Sequence, residues 1–113
     1  MNQNYDPSDK SVQIVIPGDV LSTNVDSIRE SIFETIESDE VTQNGYDKIC
    51  LDLTAAKMID SAGLNLLVSI LKVAKSKQAT VIAKISSPHI QRTFSFTRLD
   101  KLINIEKAEP TTV

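Results

Sequence analysis

Two short apolar runs, separated by a long segment with helical periodicity, constrain the fold of this 113-residue chain most strongly. The runs are residues 49–53 and 80–85, and each is too short for a typical helix and nearly all apolar. Both are therefore predicted to be strands buried on both faces. Between them, residues 61–75 repeat apolar positions at helical spacing. Strand, helix and strand in this order imply a crossover connection, so the sequence predicts an α/β fold with a partly parallel sheet.

Another strand and an amphipathic helix are predicted ahead of the first apolar run. Apolar residues alternate over residues 12–16 and end at a Pro-Gly pair, a pattern that indicates a strand. Over residues 23–38, apolar residues recur at three- and four-residue steps with acidic residues opposite. This pattern predicts a surface helix with Thr23 or Asn24 as its N-cap.

The C-terminal part adds one more helix and one more strand. Ser87 and Pro88 supply an N-cap and a first-turn proline for a helix that extends to about Phe96. Residues 102–105 predict a last short strand. The whole chain, residues 1–113, is thus expected to form a single domain. Its expected parts are an edge strand or loose arm at 1–10, a core at about 12–105 and a tail at 106–113.

Composition argues against several classes of function. Fifteen acidic against twelve basic residues leave a net charge of −3, and there are two Tyr, three Phe and no Trp, so nothing suggests nucleic-acid binding. One Cys and one His are too few for a structural zinc site, and three scattered glycines form no phosphate-binding loop. We therefore expect no metal and no cofactor. Without an apolar span or a second cysteine, the chain is expected to be cytoplasmic, with no membrane insertion.

The most informative segment is the run Asp60-Ser61-Ala62-Gly63-Leu64 at the predicted start of the central helix. At a helix N-terminus up to four backbone N–H groups lack partners and the helix dipole presents partial positive charge. In the simplest interpretation, Asp60 or Ser61 is only an N-cap. The rest of the helix is apolar outside a narrow polar strip, so either neighbouring helices bury its flanks or part of it contacts a partner protein.

The order of the elements and the run from Asp60 to Leu64 resemble the STAS domain family, in particular its stand-alone bacterial anti-sigma factor antagonists. In that family a buried strand and a loop lead to Asp-Ser-x-Gly-Leu, which begins a long apolar helix. The resemblance covers about residues 12–105. It implies a STAS-type α/β fold, with a mixed sheet of four to five strands and about three to four helices packed mainly on one side.

The resemblance also implies a function without catalysis. In the family, the serine that matches Ser61 is phosphorylated by a partner that is both a serine kinase and an anti-sigma factor, and a PP2C-type phosphatase reverses this. The unmodified protein binds the anti-sigma factor and so releases the sigma factor. We expect a monomer or weak dimer that docks through Asn24, Met58, Ile59, Asp60, Ser61, Ala62, Gly63, Leu64 and Asn65.

Details of this expected surface stay open. Met58 and Ile59 either contact the partner or fold inward over the sheet, and Gly63 is expected to let a partner approach closely because it has no side chain. The acidic residue that the family has after Gly-Glu-Leu is Leu21 here, unless Asp19 or Ser22 substitutes for it. Arg98 stands where the family usually has a C-cap glycine. Because positive φ would cost Arg about 1–2 kcal/mol, the third helix is expected to end differently.

Two rival functions are compatible with the same residues. The first is a STAS scaffold, such as a subunit of a lipid-transport ATPase or a stressosome component, in which Ser61 is a cap or contact without a phosphorylation cycle. The second is a small hydrolase that uses Ser61 and His89 and recruits a carboxylate from elsewhere. A histidine exposed in the first turn of a helix is the simpler interpretation of His89.

Overall fold

A computed structural model describes residues 1–108 of the chain. Within these residues the chain forms five strands, four α-helices and one 3-10 turn, which confirms the predicted α/β fold with a mixed sheet. The elements in chain order are β1 (Asn2–Asp6), β2 (Ser11–Val15), α1 (Val25–Ile36), α2 (Asp39–Asn44), β3 (Lys48–Leu53), α3 (Ser61–Ser76), β4 (Thr80–Ile85), α4 (Pro88–Phe96), the 3-10 turn (Leu99–Lys101) and β5 (Asn104–Lys107).

The spatial order of the strands is the same as their order in the chain, β1-β2-β3-β4-β5. The first pair is antiparallel and the other three pairs are parallel. β1 is therefore the predicted edge strand and not a loose arm. The last strand extends through Lys107, so Glu106 and Lys107 belong to the sheet although the sequence predicted a tail from residue 106. Residues 109–113 of that predicted tail lie outside the described residues.

The helices cover only one face of the sheet. Along β3, Ile49, Leu51 and Leu53 are buried, whereas the alternate residues between them are half-buried. β4 shows the same alternation. The prediction that these strands are buried on both faces is therefore wrong, because no helix among residues 1–108 packs over the second face. Cys50 lies half-buried on that face, where burial raises the pKa of its thiol.

The core is aliphatic, and each helix contributes residues at three- and four-residue spacing. Burying a side chain of this size stabilises the fold by about 1.5–3 kcal/mol, so the apolar stripe of each helix fixes which side faces the sheet. Phe94 is the largest of the fully buried side chains. The buried helix residues are Val25, Ile28, Ile32 and Ile36 in α1, Leu66, Leu67, Ile70 and Ala74 in α3, and Ile90 and Phe94 in α4.

The structure departs from the predicted elements at two places. α2 is absent from the predicted elements; it has only six residues and is stabilised by the Ser38 cap and by the buried side chain of Val41. Arg98 adopts a left-handed conformation with φ of 63°, so the expectation that the chain avoids it there is wrong. The energetic cost of this left-handed conformation is offset by packing, since the conformation allows Leu99 and Ile103 to enter the core on the next turn.

Two of the helices begin at the same edge of the sheet. α3 follows β3, α4 follows β4, and these two strands are parallel neighbours, so the loops after them come together. The carboxyl edge of parallel strands is where α/β proteins usually carry their binding residues. The Asp60-Ser61 pair lies at this edge.

Candidate functional site

The start of α3 is capped by Asp60 and not by Ser61. Asp60 has an extended backbone, and its Oδ1 accepts a hydrogen bond from the N–H of Gly63 at 3.0 Å. Ser61 is then the first helical residue, and its side chain is exposed. Within residues 1–108 no hydrogen bond involves the Ser61 hydroxyl. The N-cap role, which the sequence left open between the two residues, therefore falls to the carboxylate, and the serine oxygen is free.

The second oxygen of Asp60 ties α3 to a distant loop. Oδ2 accepts a hydrogen bond from the N–H of Ser22 at 2.8 Å, although Ser22 lies 38 residues earlier in the chain. The hydrogen bonds from the backbone of Gly63 and of Ser22 hold the pKa of Asp60 below its ordinary value of 3.8. Asp60 is thus ionised at neutral pH and joins the two segments through its charge.

A second carboxylate joins the same two segments from the other side. Asp19 Oδ1 accepts hydrogen bonds from the N–H groups of Lys57 at 2.8 Å and Met58 at 3.1 Å. Between the two carboxylates, Val20 donates its N–H to the carbonyl of Met58, and Asp60 donates its N–H to the carbonyl of Val20, each at 3.2 Å. These hydrogen bonds join residues 19–24 to residues 57–60. We refer to the two segments as the paired loops.

Asn24 stabilises the first of the paired loops instead of capping α1. Its Oδ1 accepts a hydrogen bond from the N–H of Leu21 at 2.9 Å, and its Nδ2 donates to the carbonyl of Asp19 at 2.8 Å. It occupies the N-cap position of α1 but makes no side-chain cap bond there. Asn24 is exposed, so its two hydrogen bonds stabilise the loop from the solvent-facing side.

Two residues expected at the partner surface are buried. Ile59 is only 6% exposed, whereas its neighbour Met58 is 49% exposed, so the first folds inward and the second points outward. Gly63 is also buried, and a Cβ built on it would lie 2.4 Å from the carbonyl oxygen of Val20. The close approach expected at Gly63 is therefore made by the chain's own backbone, and this space is closed to a partner.

The other expected residues lie on or near the surface at the start of α3. Four of them are exposed and three are half-buried, and the paired loops bring Asn24 to the same side as the helix start. We call this surface the Ser61 face. Its members are Asn24, Met58, Ser61 and Asn65, which are exposed, and Asp60, Ala62 and Leu64, which are half-buried.

The hydrogen bonds that hold the paired loops together are not visible in the local sequence. Asp19 and Ser22 were considered only as substitutes for an acidic residue at Leu21, yet both make hydrogen bonds to residues about 38 positions away. A local pattern cannot reveal such partners, because the donors are backbone N–H groups that every residue except proline has. In the fold, the parallel bridge between Val20 and Ile59 brings the two segments together.

The described residues show no constellation typical of a metal site or of acyl transfer. Residues 1–108 contain no group of three or more His, Cys, Asp and Glu placed to hold a metal ion. His89 is exposed in the first turn of α4, and no hydrogen bond in this part of the chain joins it to Ser61. No helix among these residues combines the length and apolarity that crossing a bilayer requires.

Comparison with known proteins defines the class to which this fold and site belong. The model of the STAS domain matches residues 4–111, which is nearly the whole chain. The chain therefore belongs to the STAS domain family, as the Asp-Ser-x-Gly-Leu run and the order of elements implied.

Individual relatives point to one branch of that family. A protein of Thermotoga maritima that carries the provisional name anti-sigma factor antagonist is 32% identical over 74 residues, 66% of this chain and 66% of its own length, just under two thirds of each. The crystal structure of a T. maritima protein with the same provisional name has 25% identity and a TM-score of 0.76, over 95% of this chain and 85% of its own. The anti-sigma factor antagonist SpoIIAA, in its unphosphorylated form, shares the fold with a TM-score of 0.64 at 18% identity, over 97% and 88% of the two chains.

Proposed function

We propose that this protein is an anti-sigma factor antagonist switched by phosphorylation of Ser61. In its unphosphorylated form it binds an anti-sigma factor that is also a serine kinase, and so releases a sigma factor. Phosphorylation of Ser61 ends this binding. The observation that carries the proposal is the exposed Ser61 at the start of α3, whose hydroxyl is free because Asp60 caps the helix.

The fold tolerates a phosphate at this position. Phosphorylation adds about −1.5 to −2 charges, and the N-terminus of a helix carries partial positive charge that accommodates an anion. Ser61 is the first residue of a helix of 16 residues, and its side chain points away from the core. Modification therefore changes the surface without displacing any buried group.

The same charge opposes docking of a partner. On the Ser61 face the phosphate would stand next to the ionised Asp60, whose carboxylate is already bound to two backbone N–H groups. It would also stand near exposed Met58 and half-buried Leu64, whose apolar surface a partner would cover. Like-charge repulsion and the cost of desolvating a phosphate both weaken such a contact.

The proposal includes the remaining parts of the cycle. A PP2C-type phosphatase would restore the unmodified form, and the chain itself would act as a monomer or weak dimer in the cytoplasm without catalysing a reaction. Two observations support a binding role over a catalytic one. The relatives named above are regulators by name, and within the described residues no hydrogen bond links Ser61 to His89.

The proposal is tested with the tagged full-length chain in extracts of its source organism, with and without ATP. Wild type and Ser61→Ala should both capture a protein with a serine-kinase domain. Added ATP should release it from the wild type and not from Ser61→Ala. Ser61→Asp should bind at least about tenfold more weakly, a loss of about 1.4 kcal/mol. Ser87→Ala, which changes the serine at the start of α4, is the matched control and should behave as the wild type.

Mass spectrometry of the same samples locates the modification. Phosphate is expected on Ser61 in the wild type and in Ser87→Ala, and nowhere in Ser61→Ala. Equal binding by all variants with and without ATP would overturn the switch and favour a STAS scaffold without a phosphorylation cycle. Phosphate on a different residue would equally contradict the assignment of Ser61.

A further inference from the structure

A groove of about 530 Å³ lies at the opposite end of α3 from Ser61. It runs between the C-terminal half of that helix, the start of β4 and the 3-10 turn. Buried residues form its floor, while Val68 and Leu102, which are 37% and 67% exposed, form its rim. Its apolar lining includes Val68, Leu71, Ala74, Val81, Leu99 and Leu102.

The charged residues of the groove are two lysines. Lys72 and Lys75 line it, and no Asp or Glu does. Asp100 of the 3-10 turn lines a separate cavity. Among residues 1–108 the only ion pair joins Lys48 and Asp9, so neither groove lysine has a carboxylate partner there. Two positive charges are thus held beside an apolar surface without an internal counter-charge.

The C-terminal end of α3 is capped by backbone N–H groups and not by these two lysines. The last carbonyl groups of α3, from Val73 to Lys75, accept hydrogen bonds from the backbone N–H groups of Lys77, Gln78 and Ala79. The partial negative charge at a helix C-terminus comes from unpaired carbonyl groups, so this backbone capping reduces its competition for the lysine ammonium groups. Lys72 and Lys75 remain available to a ligand.

The groove lies in the positive half of a strongly polarised molecule. Residues 1–60 carry twelve acidic and four basic residues, a net charge of −8, whereas residues 61–108 carry two acidic and eight basic residues, a net charge of +6. The strands follow chain order across the sheet, so β4 and β5 lie on the opposite side of β3 from β1 and β2. The potential at the groove therefore favours an anion.

We propose that this groove binds an anionic amphiphile, with a single aliphatic chain over Leu71 and Leu99 and a carboxylate head group at Lys72 and Lys75. Small-molecule sites have volumes of about 300–1,000 Å³, mostly apolar linings and a few convergent polar groups, as here. Only eleven residues line the groove. A protein partner usually covers about 20–30 residues on each side, so the dimensions favour a small ligand.

Decanoate, used below its critical micelle concentration, is the probe that tests this site, with decyltrimethylammonium as the probe of opposite charge. Backbone amide NMR shifts of the full-length protein should saturate with decanoate and concentrate at residues 68–81 and 99–102. The cationic probe should bind at least about tenfold more weakly, because it has the same chain but is repelled by both lysines. Equal affinity for the two probes would overturn the proposal.

Matched charge reversals locate the head group. Lys72→Glu/Lys75→Glu should weaken decanoate binding by at least about tenfold and should improve binding of the cationic probe. Lys77→Glu alters the same helix end outside the groove lining and should leave both affinities within about twofold. An unchanged affinity for decanoate in the Lys72→Glu/Lys75→Glu variant would refute the site. Shifts of the same amides by an acidic helical peptide, without saturable decanoate binding, would instead assign the groove to a protein partner.

Discussion

α3 and α4 begin at the same edge of the sheet but use their first residues differently. At α4 the cap is Ser87, whose Oγ accepts the N–H of Ile90 at 3.4 Å, and a proline follows it. At α3 the cap is Asp60, and a serine follows it. A serine that caps a helix has its hydroxyl engaged, whereas a serine one position later does not. Because the carboxylate of Asp60 is the cap, the hydroxyl of Ser61 makes no capping bond.

The two helix starts are also tethered by different chemistry. Ser86, just before the α4 cap, donates its hydroxyl to the carbonyl of Thr54 at 2.7 Å, which is a neutral hydrogen bond. The α3 start is held by the Asp60 and Asp19 carboxylates, each of which accepts two backbone N–H groups. Charge-assisted hydrogen bonds are stronger than neutral ones, and those of Asp60 weaken when its carboxyl group is protonated. The start of α3 is therefore the more strongly anchored and the more acid-sensitive of the two helix starts.

The two helices also differ at their third residue, which is Gly63 in α3 and the buried Ile90 in α4. The largest effect on stability is expected from a substitution at Gly63. A Cβ at Gly63 would lie 2.4 Å from the Val20 carbonyl oxygen, so Gly63→Val must separate the paired loops. Overpacking of this kind costs about 1–3 kcal/mol, and urea unfolding should show a loss at the upper end of that range. Gly18→Ala is the control, because its new Cβ meets nothing within 4 Å. If both variants unfolded at the same urea concentration, the close approach would be refuted.

A smaller effect is expected from pH. Because hydrogen bonds from Gly63 and Ser22 lower the folded-state pKa of Asp60 below 3.8, its stabilising contribution is complete above that pH. The contribution is lost as the pH falls through the lowered pKa. Asp60→Asn should therefore show a flatter loss of stability below about pH 4 than the wild type, measured as urea midpoints. Ser87→Ala should keep the wild-type slope, and an unchanged slope in Asp60→Asn would show that Asp60 does not anchor the loops.

The smallest effect separates the two serines. Ser87→Ala removes a cap and should cost about 0.5–1 kcal/mol of unfolding free energy, since its bond to Ile90 is long. Ser61→Ala removes an exposed hydroxyl and should stay within about 0.5 kcal/mol of the wild type. Thermal and urea unfolding of both variants measure the difference. Equal losses would mean that Ser61 has a structural role, contrary to its assignment as a free acceptor.

Much of the architecture was accessible from sequence because it rests on local periodicity. The strand at residues 80–85 and the helix that ends at Phe96, with Ser87 as its cap, were predicted with the observed boundaries. A short apolar run, an N-cap and a first-turn proline are all recognised from neighbouring residues. α2 was missed because six residues are too few to display a helical period. The conformation of Arg98 was predicted wrongly because the cost of positive φ depends on the residue itself. The burial of Leu99 and Ile103 that offsets this cost depends on the tertiary structure.

Within the candidate site, the sequence determined which residue types stand at the start of α3, and with them the resemblance to the STAS domain family. Only the tertiary structure decided which of Asp60 and Ser61 is the cap, that Met58 points outward while Ile59 folds inward, and that Val20 closes the space above Gly63. The physical reason is that helix periods and caps depend on residues three or four apart, whereas the paired loops depend on contacts between residues about 38 positions apart.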